Sequence, residues 1–378
     1  MSFAVLDLFA GAGGLTAGFH EGSSAYRTVA AVEMDLAAAA TFEATYGAGI
    51  VSARPIQEWL ADGMAPDSVD VVVGGPPCQG FSLLGKRALD DERNSLWRQY
   101  VETIRETSPK YFVMENVAAF GRSVEFEKLC HETSRTGALR DYQFEMAVLN
   151  AADFGAPQAR KRAVVIGHRR DLPSPGLPVA THSATSNTDG LLPHVTVREA
   201  FAGVPDRPDM DAVIGTREFN FAGRDFPGAF KRWELHWSRS YTRLSLDRFA
   251  CIPAGGNRFN LPDELKARCW LNHSSGSGDV MGRMHWDRPS VTIRTEFFKP
   301  EKGRYIHPTQ DRAITHYEAA VLQGFPDTHR FVGSRTEIAR QIGNAVPIAL
   351  GAAIGKHLAD ALASVPSSSS PLQARPAA

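Results

Sequence analysis

The chain has 378 residues, of which 43% are hydrophobic and 22% charged, and its formal net charge is −1. This composition is typical of a globular protein with a large core and excludes a disordered or fibrous chain. No apolar run is long enough to span a membrane, and residues 1–10 lead directly into a predicted strand, so we expect no signal peptide, no membrane partner and a cytoplasmic location. The four cysteines lack C-x-x-C spacing, which argues against a metal site or a disulfide framework.

The first predicted elements are a strand, a glycine-rich turn and a helix. Residues 4–9 form an apolar strand, residues 10–15 read Ala-Gly-Ala-Gly-Gly-Leu, and a helix follows over residues 16–21. Such a turn lets a ligand approach the backbone, although the spacing is not G-x-G-x-x-G and does not by itself identify the ligand. A second strand over residues 28–32 ends at Glu33, whose carboxylate can accept hydrogen bonds from the hydroxyls of a ribose. Asp35 is better suited to cap the next helix.

A cysteine follows the next predicted strand. Residues 70–73 form a short β-branched run that ends in Gly-Gly-Pro-Pro, and Cys78 comes directly after that rigid turn. The carboxyl ends of strands in an open α/β sheet line a ligand crevice, and the prolines lower the entropy cost of fixing the chain there. The position therefore favours a displayed nucleophile, with a buried core cysteine as the alternative. Residues 85–95 are polar, which is typical of a mobile lid.

Three charged residues are candidate partners of that thiol. A strand over residues 111–114 ends at Glu115, at the edge where Cys78 is expected, so its carboxyl can carry a proton to a ring nitrogen. A capping or salt-bridged glutamate is the alternative. Predicted strands over residues 142–149 and 163–167 flank a loop that ends in Arg160 and Arg162, whose side chains point to the same side. Their fork-shaped donors suit a carbonyl or phosphate oxygen, and two solvated surface arginines are the alternative.

The middle of the chain has no regular hydrophobic period. Residues 171–190 have the composition of a linker, and the pattern does not predict a fold for residues 194–310. Residues 213–312 hold 17 Lys and Arg against 11 Asp and Glu, and four of the six tryptophans. That combination suits a nucleic-acid contact surface, although a solvated face above an aromatic core explains it equally well. Helices over residues 315–323 and 338–362 follow, and residues 367–378 form a tail that we expect to be disordered.

Five short motifs, in their order along the chain, carry a family resemblance. They are Asp-Leu-Phe-Ala-Gly-Ala-Gly-Gly from Asp7, Gly-Pro-Pro-Cys-Gln-Gly-Phe-Ser from Gly75, Glu-Asn-Val from Glu115, Gln-x-Arg-x-Arg from Gln158 and Gln-Ile-Gly-Asn-Ala-Val-Pro from Gln341. This set resembles the DNA cytosine-5 methyltransferase family, of the bacterial modification type. The resemblance implies an α/β, Rossmann-like S-adenosylmethionine-dependent methyltransferase sheet with a second, smaller target-recognition domain. The expected division is a catalytic domain over residues 1–180 plus 311–364, a target-recognition domain over 181–310 and a tail over 365–378.

The resemblance also implies a covalent mechanism without a metal. Cytosine C5 is a poor nucleophile, so Cys78 is expected to add to C6 and create an enamine that accepts a methyl group. Glu115 corresponds to the family's acid near cytosine N3, and Arg162 to the arginine at the cytosine carbonyl oxygen. Arg160 is expected to support the loop and the site. Two further residues correspond to supports of the loop and the arginine, namely Asn116 and Gln158.

The methyl donor that the resemblance implies is S-adenosylmethionine, with S-adenosylhomocysteine as the product. Phe9 corresponds to the aromatic residue against adenine, the turn at residues 11–14 to the methionine end, and Glu33 to the ribose. One departure is Pro55, which stands where the family usually offers an aspartate to the adenine amino group. Adenine is therefore recognised by another group, or the donor binds more weakly. The full expected set is Phe9, Gly11, Gly13, Gly14, Leu15, Glu33, Met34, Ile56, Pro76, Asn344 and Val346.

The implied substrate is a cytosine in a specific sequence of double-stranded DNA, swung out of the helix because its C6 is inaccessible within the base stack. The loop of residues 80–97 is expected to close over it, and the protein to act as a monomer on DNA with a cognate restriction endonuclease as a genetic partner. The expected DNA contacts are Gln79, Ser82, Lys86, Arg93, Arg239, Arg243 and Arg258.

Three other functions fit these residues less well. An RNA-directed relative of the family is less favoured because of the sequence Pro-Pro-Cys-Gln-Gly-Phe-Ser around the nucleophile. A non-catalytic DNA-binding protein would not need Cys78, Glu115 and Arg162 together. A thiol-dependent hydrolase would need a histidine base near Cys78, and no motif of this sequence supplies one.

Overall fold

The computed structural model describes residues 2–77, 96–185, 190–209, 217–272 and 275–365. Several predictions fall on residues outside these ranges, among them the lid and most of the expected tail. The site residues outside the described ranges are Cys78, Gln79, Ser82, Lys86 and Arg93.

The first half of the chain alternates strands and helices. The strands are β1 (Phe3–Leu8), β2 (Tyr26–Val32), β3 (Val51–Ser52), β4 (Val71–Gly74), β5 (Tyr111–Val117), β6 (Tyr142–Asn150), β7 (Gln158–Ala159) and β8 (Lys161–Arg169). The helices are α1 (Gly14–Gly22), α2 (Leu36–Tyr46), α3 (Ile56–Ala61), α4 (Leu96–Thr107) and α5 (Val124–Glu132). Asp35 caps α2 as predicted, because its carboxylate accepts hydrogen bonds from the N–H groups of Ala37 and Ala38, both at 3.1 Å.

Seven of these strands form one sheet in the order β3-β2-β1-β4-β5-β8-β6. β1 to β5 run parallel, and β8 runs antiparallel to both of its neighbours, β5 and β6. All four residues of β4 are buried, and three of them are valines, as expected of a strand that is covered on both faces. The predicted Rossmann-like α/β fold class is confirmed.

Helices cover both faces of the sheet. Val71 and Val73 pack in one cluster with residues of α1 and of the last helix, α11 (Ile348–Ser364), whereas Val72 packs with residues of α3 and α4. α1 and α11 lie backbone to backbone, since a Cβ atom on Gly18 would lie 2.6 Å from Cα of Gly351. The end of the chain therefore completes the core that its beginning starts.

The second half of the chain consists of shorter elements. The strands are β9 (His182–Ser183), β10 (Leu192–Pro193), β11 (Glu218–Phe221), β12 (Arg224–Pro227), β13 (Phe230–Lys231), β14 (Ser290–Val291) and β15 (Arg330–Phe331). The helices before α11 are α6 (Val197–Ala200), α7 (Arg243–Ala250), α8 (Arg268–Leu271), α9 (His316–Gln323) and α10 (Arg335–Asn344). The predicted helical region over residues 338–362 consists of α10 and α11, because Pro347 precedes α11 and cannot continue α10.

Within the described ranges, no single helix is long and apolar enough to cross a membrane. The pair α10 and α11, which is bent by 44°, reaches the required length and composition only when both helices are taken together.

Parts of the middle segment share a core with the later helices. Phe230, Leu235 and Trp237 pack in one cluster with residues of α9 and α10, β13 pairs with β15, and β14 pairs with β7. Trp237 is 4% exposed, whereas Trp233 is 46% exposed. The tryptophan-rich segment thus contributes both to an aromatic core and to the surface.

Arg283 joins several loops of the middle segment. Its buried guanidinium donates hydrogen bonds to the carbonyl oxygens of Phe249 at 2.7 Å, Ile252 at 2.8 Å and His307 at 2.9 Å. The same group donates to the carbonyl oxygen of Gln310 at 2.8 Å and pairs with Asp311 at 2.6 Å. One side chain therefore satisfies four carbonyl groups that belong to different parts of the chain.

We expect the substitution Arg283→Met to lower the free energy of unfolding by about 3–5 kcal/mol, because it leaves buried carbonyl groups without donors. Chemical denaturation followed by circular dichroism measures this loss. Arg243→Met is the matched control, since the Arg243 side chain is 88% exposed, and its effect should stay within about 0.5 kcal/mol. Equal losses in the two variants would contradict the role of Arg283.

Candidate active site

A cavity of about 550 Å³ lies at the carboxyl ends of β1, β2, β4 and β5. Each strand contributes the residues that follow it, and the turn between α10 and α11 forms a further wall. A cavity of this volume at this edge of an open α/β sheet suits a ligand of nucleoside size. The residues nearest the strand ends are Phe9, Glu33, Pro76 and Glu115, and the turn contributes Asn344, Ala345 and Val346.

Backbone N–H groups hold the carboxylate of Glu33 at the end of β2. One oxygen accepts from the N–H of Gly11 at 2.8 Å and the other from the N–H of Asp35 at 2.7 Å. Burial raises the pKa of Glu33, and these hydrogen bonds oppose that rise. Each carboxylate oxygen has a second lone pair, so Glu33 can still accept hydrogen bonds from a diol.

The glycine-rich turn between β1 and α1 depends on its glycines. Gly11 and Gly13 have φ angles of +55° and +81°, a region that other residues rarely adopt. A Cβ atom on Gly14 would lie 3.0 Å from Cβ of Ala345, so the start of α1 packs closely against the turn before α11. The hydroxyl of Tyr46 donates to the carbonyl oxygen of Gly13 at 2.8 Å and fixes the turn from the other side.

Asp7 is a buried acid of this cavity that the sequence reasoning did not single out as a site residue. Its carboxyl group is 1% exposed and accepts a hydrogen bond from the hydroxyl of Thr16 at 2.6 Å. Burial raises the pKa of Asp7 to about 7, and the negative charge of Glu33 adds to the rise. The sequence signal that could have identified Asp7 as a site residue is its charge within an otherwise apolar strand.

Glu115 and Arg162 form an ion pair that faces the cavity. Arg162 Nε lies 2.7 Å from Glu115 Oε1, and both side chains are largely buried. Val117 pairs with Arg162 across the ladder, so Glu115 and Arg162 lie diagonally opposite on the same face of the sheet. A Cβ atom on Gly75 would lie 3.1 Å from Glu115 Oε2, which means that the Gly-Gly-Pro-Pro turn passes directly beside this carboxylate.

Asn116 fixes the turn that leads to Cys78. Its Nδ2 group donates to the carbonyl oxygen of Pro76 at 3.1 Å, and its Oδ1 accepts from the N–H of Val117 at 2.8 Å. The amide thus ties the end of β5 to the turn after β4. Pro76 is buried and lines the cavity.

Arg160 and Gln158 hold the segment that follows β14 against the site. Arg160 is 3% exposed, and its Nη1 donates to the carbonyl oxygen of Ile293 at 2.8 Å, while Gln158 Oε1 accepts from the N–H of Ile293 at 2.9 Å. Burial, together with the charge of Arg162, lowers the pKa of Arg160 to about 9. The surface-arginine alternative is therefore wrong for Arg160. Gln158 Nε2 also donates to Gln323 Oε1 at 2.9 Å, which connects β7 to α9.

The structure brings most of the expected donor-binding residues into this cavity. Phe9, Gly11, Gly14, Leu15, Glu33, Met34, Ile56, Pro76, Asn344 and Val346 all line it. Gly13 does not line the cavity itself, but it lies between Ala12 and Gly14, which both do. Pro55 precedes α3 and is not part of the cavity wall, whereas Arg54, Ile56 and Gln57 are. Met34 is 65% exposed, so the cavity has an apolar side chain at its mouth.

The three described arginines among the expected DNA contacts differ in their surroundings. Arg239 is exposed and stacks over Tyr241 at 5.0 Å. Arg243 is exposed and pairs with Asp247 at 2.9 Å. Arg258 is 9% exposed, and its Nη2 donates to the carbonyl oxygen of Ser275 at 3.0 Å. In the described ranges, no group of three or more His, Cys, Asp or Glu side chains is arranged to hold a metal ion.

Comparison with known proteins gives consistent results. Residues 3–360 match the family model described as C-5 cytosine-specific DNA methylase. The Type II methyltransferase M.XorII of Xanthomonas oryzae pv. oryzae is 34% identical over 383 residues, which cover 96% of this chain and 85% of that protein. The Type II methyltransferase M1.HphI of Haemophilus parahaemolyticus is 32% identical over 372 residues, which cover 94% of this chain and 86% of that protein.

Solved structures share the fold at lower identity. An E. coli prophage protein described as a DNA modification methyltransferase has a TM-score of 0.69 at 24% identity, over 96% of this chain and all of that chain. The Dnmt2 methyltransferase of S. pombe has a TM-score of 0.56 at 14% identity, over 95% of this chain and 99% of that chain.

Asp7 predicts a pH dependence of stability. Its ordinary pKa is 3.8 and its pKa in the folded chain is about 7, so between these values the folded state binds more protons than the unfolded state. The contribution of Asp7 to the free energy of unfolding should therefore fall as the pH rises from about 4 to about 7. The free energy of unfolding of Asp7→Asn, taken relative to that of the wild type, should therefore rise by about 2–4 kcal/mol over this pH range.

Chemical denaturation at several pH values tests this expectation. The exposed Asp67 provides the matched control, Asp67→Asn, whose profile should follow that of the wild type. A profile of Asp7→Asn that runs parallel to the wild type would show that the ionisation of Asp7 is not penalised in the fold.

Proposed function

We propose, on the premise that this chain belongs to the C-5 cytosine-specific DNA methylase family, that Cys78, Glu115 and Arg162 carry its reaction. In that reaction a methyl group passes from S-adenosylmethionine to C5 of a cytosine in a specific sequence of DNA. The observation that carries the assignment is the ion pair between Glu115 and Arg162, which faces the same cavity as Glu33 and the turn toward Cys78.

The residues of the cavity fit the methyl donor. Glu33 presents a fixed carboxylate for the ribose hydroxyls, and the turn at residues 11–14 offers backbone close to the amino-acid end. Phe9, Met34 and Ile56 supply apolar surface for the base. When bound, S-adenosylmethionine supplies an electrophilic methyl group. Pro76, Leu15, Asn344 and Val346 complete the wall.

Glu115 and Arg162 act on the cytosine ring. Arg162 donates to the carbonyl oxygen of the base, and Glu115 holds a proton at N3, so both groups draw electron density away from C6. Because Gly75 lies against Glu115, the turn can deliver Cys78 to the same base. The pairing of Glu115 with Arg162 keeps both side chains in place before the base arrives.

Each bond change then has a defined partner. The thiolate of Cys78 forms a bond to C6, and the C5–C6 electron pair moves into the ring toward N3. The same electrons return through C5, which takes the methyl group while the bond between that group and the donor sulfur breaks, so that S-adenosylhomocysteine is the leaving group. A base removes the C5 proton, and departure of the thiolate restores the C5–C6 double bond.

Arg160, Gln158 and Asn116 act as positioning residues. Arg160 and Gln158, which directly precede the strand that carries Arg162, fix the backbone of Ile293, and Asn116 fixes the backbone of Pro76. None of the three needs to touch the cytosine for the proposed chemistry.

The middle of the chain, residues 181–310, is proposed as the target-recognition domain, and residues 1–180 plus 311–364 as the catalytic domain. Arg239 and Arg243 present exposed guanidinium groups for DNA, while Arg258 supports a loop through its bond to Ser275. Gln79, Ser82, Lys86 and Arg93 are proposed to contact DNA beside the flipped cytosine. The enzyme is further proposed to act as a monomer on DNA. The Type II names of the relatives support a cognate restriction endonuclease as genetic partner.

Transfer of labelled methyl groups tests the proposed nucleophile. We expect the wild-type protein to label double-stranded DNA, and Cys78→Ser to reduce the rate at least about a thousandfold, because a serine hydroxyl is a far weaker nucleophile at neutral pH. Cys130→Ser is the matched control, since Cys130 is an exposed free cysteine on α5. Total RNA is offered in parallel.

Label confined to RNA would assign the chain to the RNA-directed alternative. Equal rates for the wild type and Cys78→Ser would refute the covalent role of Cys78. Binding of S-adenosylhomocysteine, measured by calorimetry, shows in each case whether the variant is folded.

A further inference from the structure

A second cavity lies in the middle segment and takes no part in the chemistry described above. Its volume is about 300 Å³, and its inner surface contains the buried residues Phe249, Met281 and Pro300. Its remaining wall carries two aromatic and two guanidinium side chains, namely Tyr241, Trp270, Arg239 and Arg248. Planar groups and positive charge are thus combined around an apolar floor.

Two aromatic rings of this cavity are each stacked with an arginine. The Arg239 guanidinium lies 5.0 Å from the ring of Tyr241, and the Arg248 guanidinium lies 5.6 Å from the ring of Trp270. The hydroxyl of Tyr241 accepts a hydrogen bond from the N–H of Ala313 at 3.0 Å, and Arg248 Nε donates to the carbonyl oxygen of Leu265 at 2.7 Å. These bonds fix the walls before any ligand enters.

The charge of the wall favours an anionic ligand. Glu301 also lines the cavity, so two guanidinium groups face one carboxylate. Within the described ranges, neither Arg239 nor Arg248 forms an ion pair with a carboxylate. Both positive charges are therefore available to a ligand that combines a flat ring with a phosphate.

The backbone at the floor of the cavity is strained. Met281 has a φ angle of +53°, which residues with a side chain rarely adopt. Phe9, in the wall of the first cavity, has a comparable φ angle of +56°. Such conformations concentrate at ligand sites, because the surrounding structure must hold them in place.

We propose that this second cavity binds one unstacked nucleotide of the DNA substrate. Its base lies against Trp270 and Tyr241, and its phosphate lies at Arg239 and Arg248. Stacking on aromatic side chains tolerates any base, because every base has a π face. This inference rests on the proposed DNA substrate, and it adds to the flipped cytosine a second nucleotide that leaves the base stack.

The test asks whether the loss of one aromatic side chain and the loss of one base affect DNA binding through the same contact. The test uses a series of duplexes that contain the sequence that the enzyme methylates. Each duplex carries one abasic position, and the series covers every nucleotide of the sequence except the target cytosine. Fluorescence anisotropy gives the dissociation constant of each duplex for the wild type, Trp270→Leu and Trp233→Leu. Trp233 is the matched control because it is an exposed tryptophan of the same segment that does not line the cavity.

We expect one abasic position to weaken binding by about tenfold in the wild type and in Trp233→Leu. In Trp270→Leu, that position should have no effect, and binding of the intact duplex should already be weaker by the same factor. If every abasic position has equal effects in all three proteins, the cavity does not hold a nucleotide of DNA. The exposed Arg239 provides a second variant, Arg239→Gln, which tests the phosphate contact if Trp270→Leu fails to fold.

A free nucleotide is distinguished in a separate arm. Saturable binding of deoxynucleoside monophosphates to the wild type but not to Trp270→Leu, without any coupling to a DNA position, would overturn the DNA assignment. Failure of the proposed function has a different signature, because the wild type would then transfer no methyl group to any duplex.

Discussion

The reversed direction of β8 is the constraint on which the catalytic edge depends. Because β8 runs antiparallel to β5, its first residues lie where β5 ends, and Arg162 meets Glu115 at 2.7 Å. A parallel strand in this place would put the arginine at the opposite edge of the sheet. Gly75 and Asn116 then bring the turn after β4 to the same point, since one leaves room for the carboxylate of Glu115 and the other binds the backbone of Pro76.

The cavity beside this edge is closed by parts of the chain that are far apart in sequence. Gly18 on α1 and Gly351 on α11 allow the two helices to approach at backbone distance, which places the turn at residues 344–346 against the glycine-rich turn after β1. The buried carboxyl group of Asp7 and the partly buried one of Glu33 lie in the same wall. The protein fixes each of them with a hydrogen bond from the hydroxyl of Thr16 or from backbone N–H groups, and burial raises the pKa of both.

The sequence predicts those features of the structure that depend on residues close together along the chain, and it does not predict those that depend on residues far apart. Strands β1, β2, β4 and β5, the cap at Asp35 and the family resemblance all follow from short stretches, because apolar runs and turn residues are local signals. The burial of Arg160 is set by Ile293, 133 residues later, so the local pattern equally favoured a surface arginine. The fold of the middle segment could not be predicted for the same reason. Its elements are short, and Arg283 joins separate loops of the segment.

Covalent trapping measures the action of Glu115 and Arg162 on the base most directly. In a duplex with 5-fluorocytosine at the target position, no C5 proton can be removed after methyl transfer, so the bond between Cys78 and C6 persists and is counted on a denaturing gel. The rate of adduct formation should fall by about a hundredfold in Glu115→Gln, while Glu127→Gln, an exposed glutamate of α5, matches the wild type. An unchanged rate in Glu115→Gln, with DNA bound equally well, would contradict the assigned role of the pair.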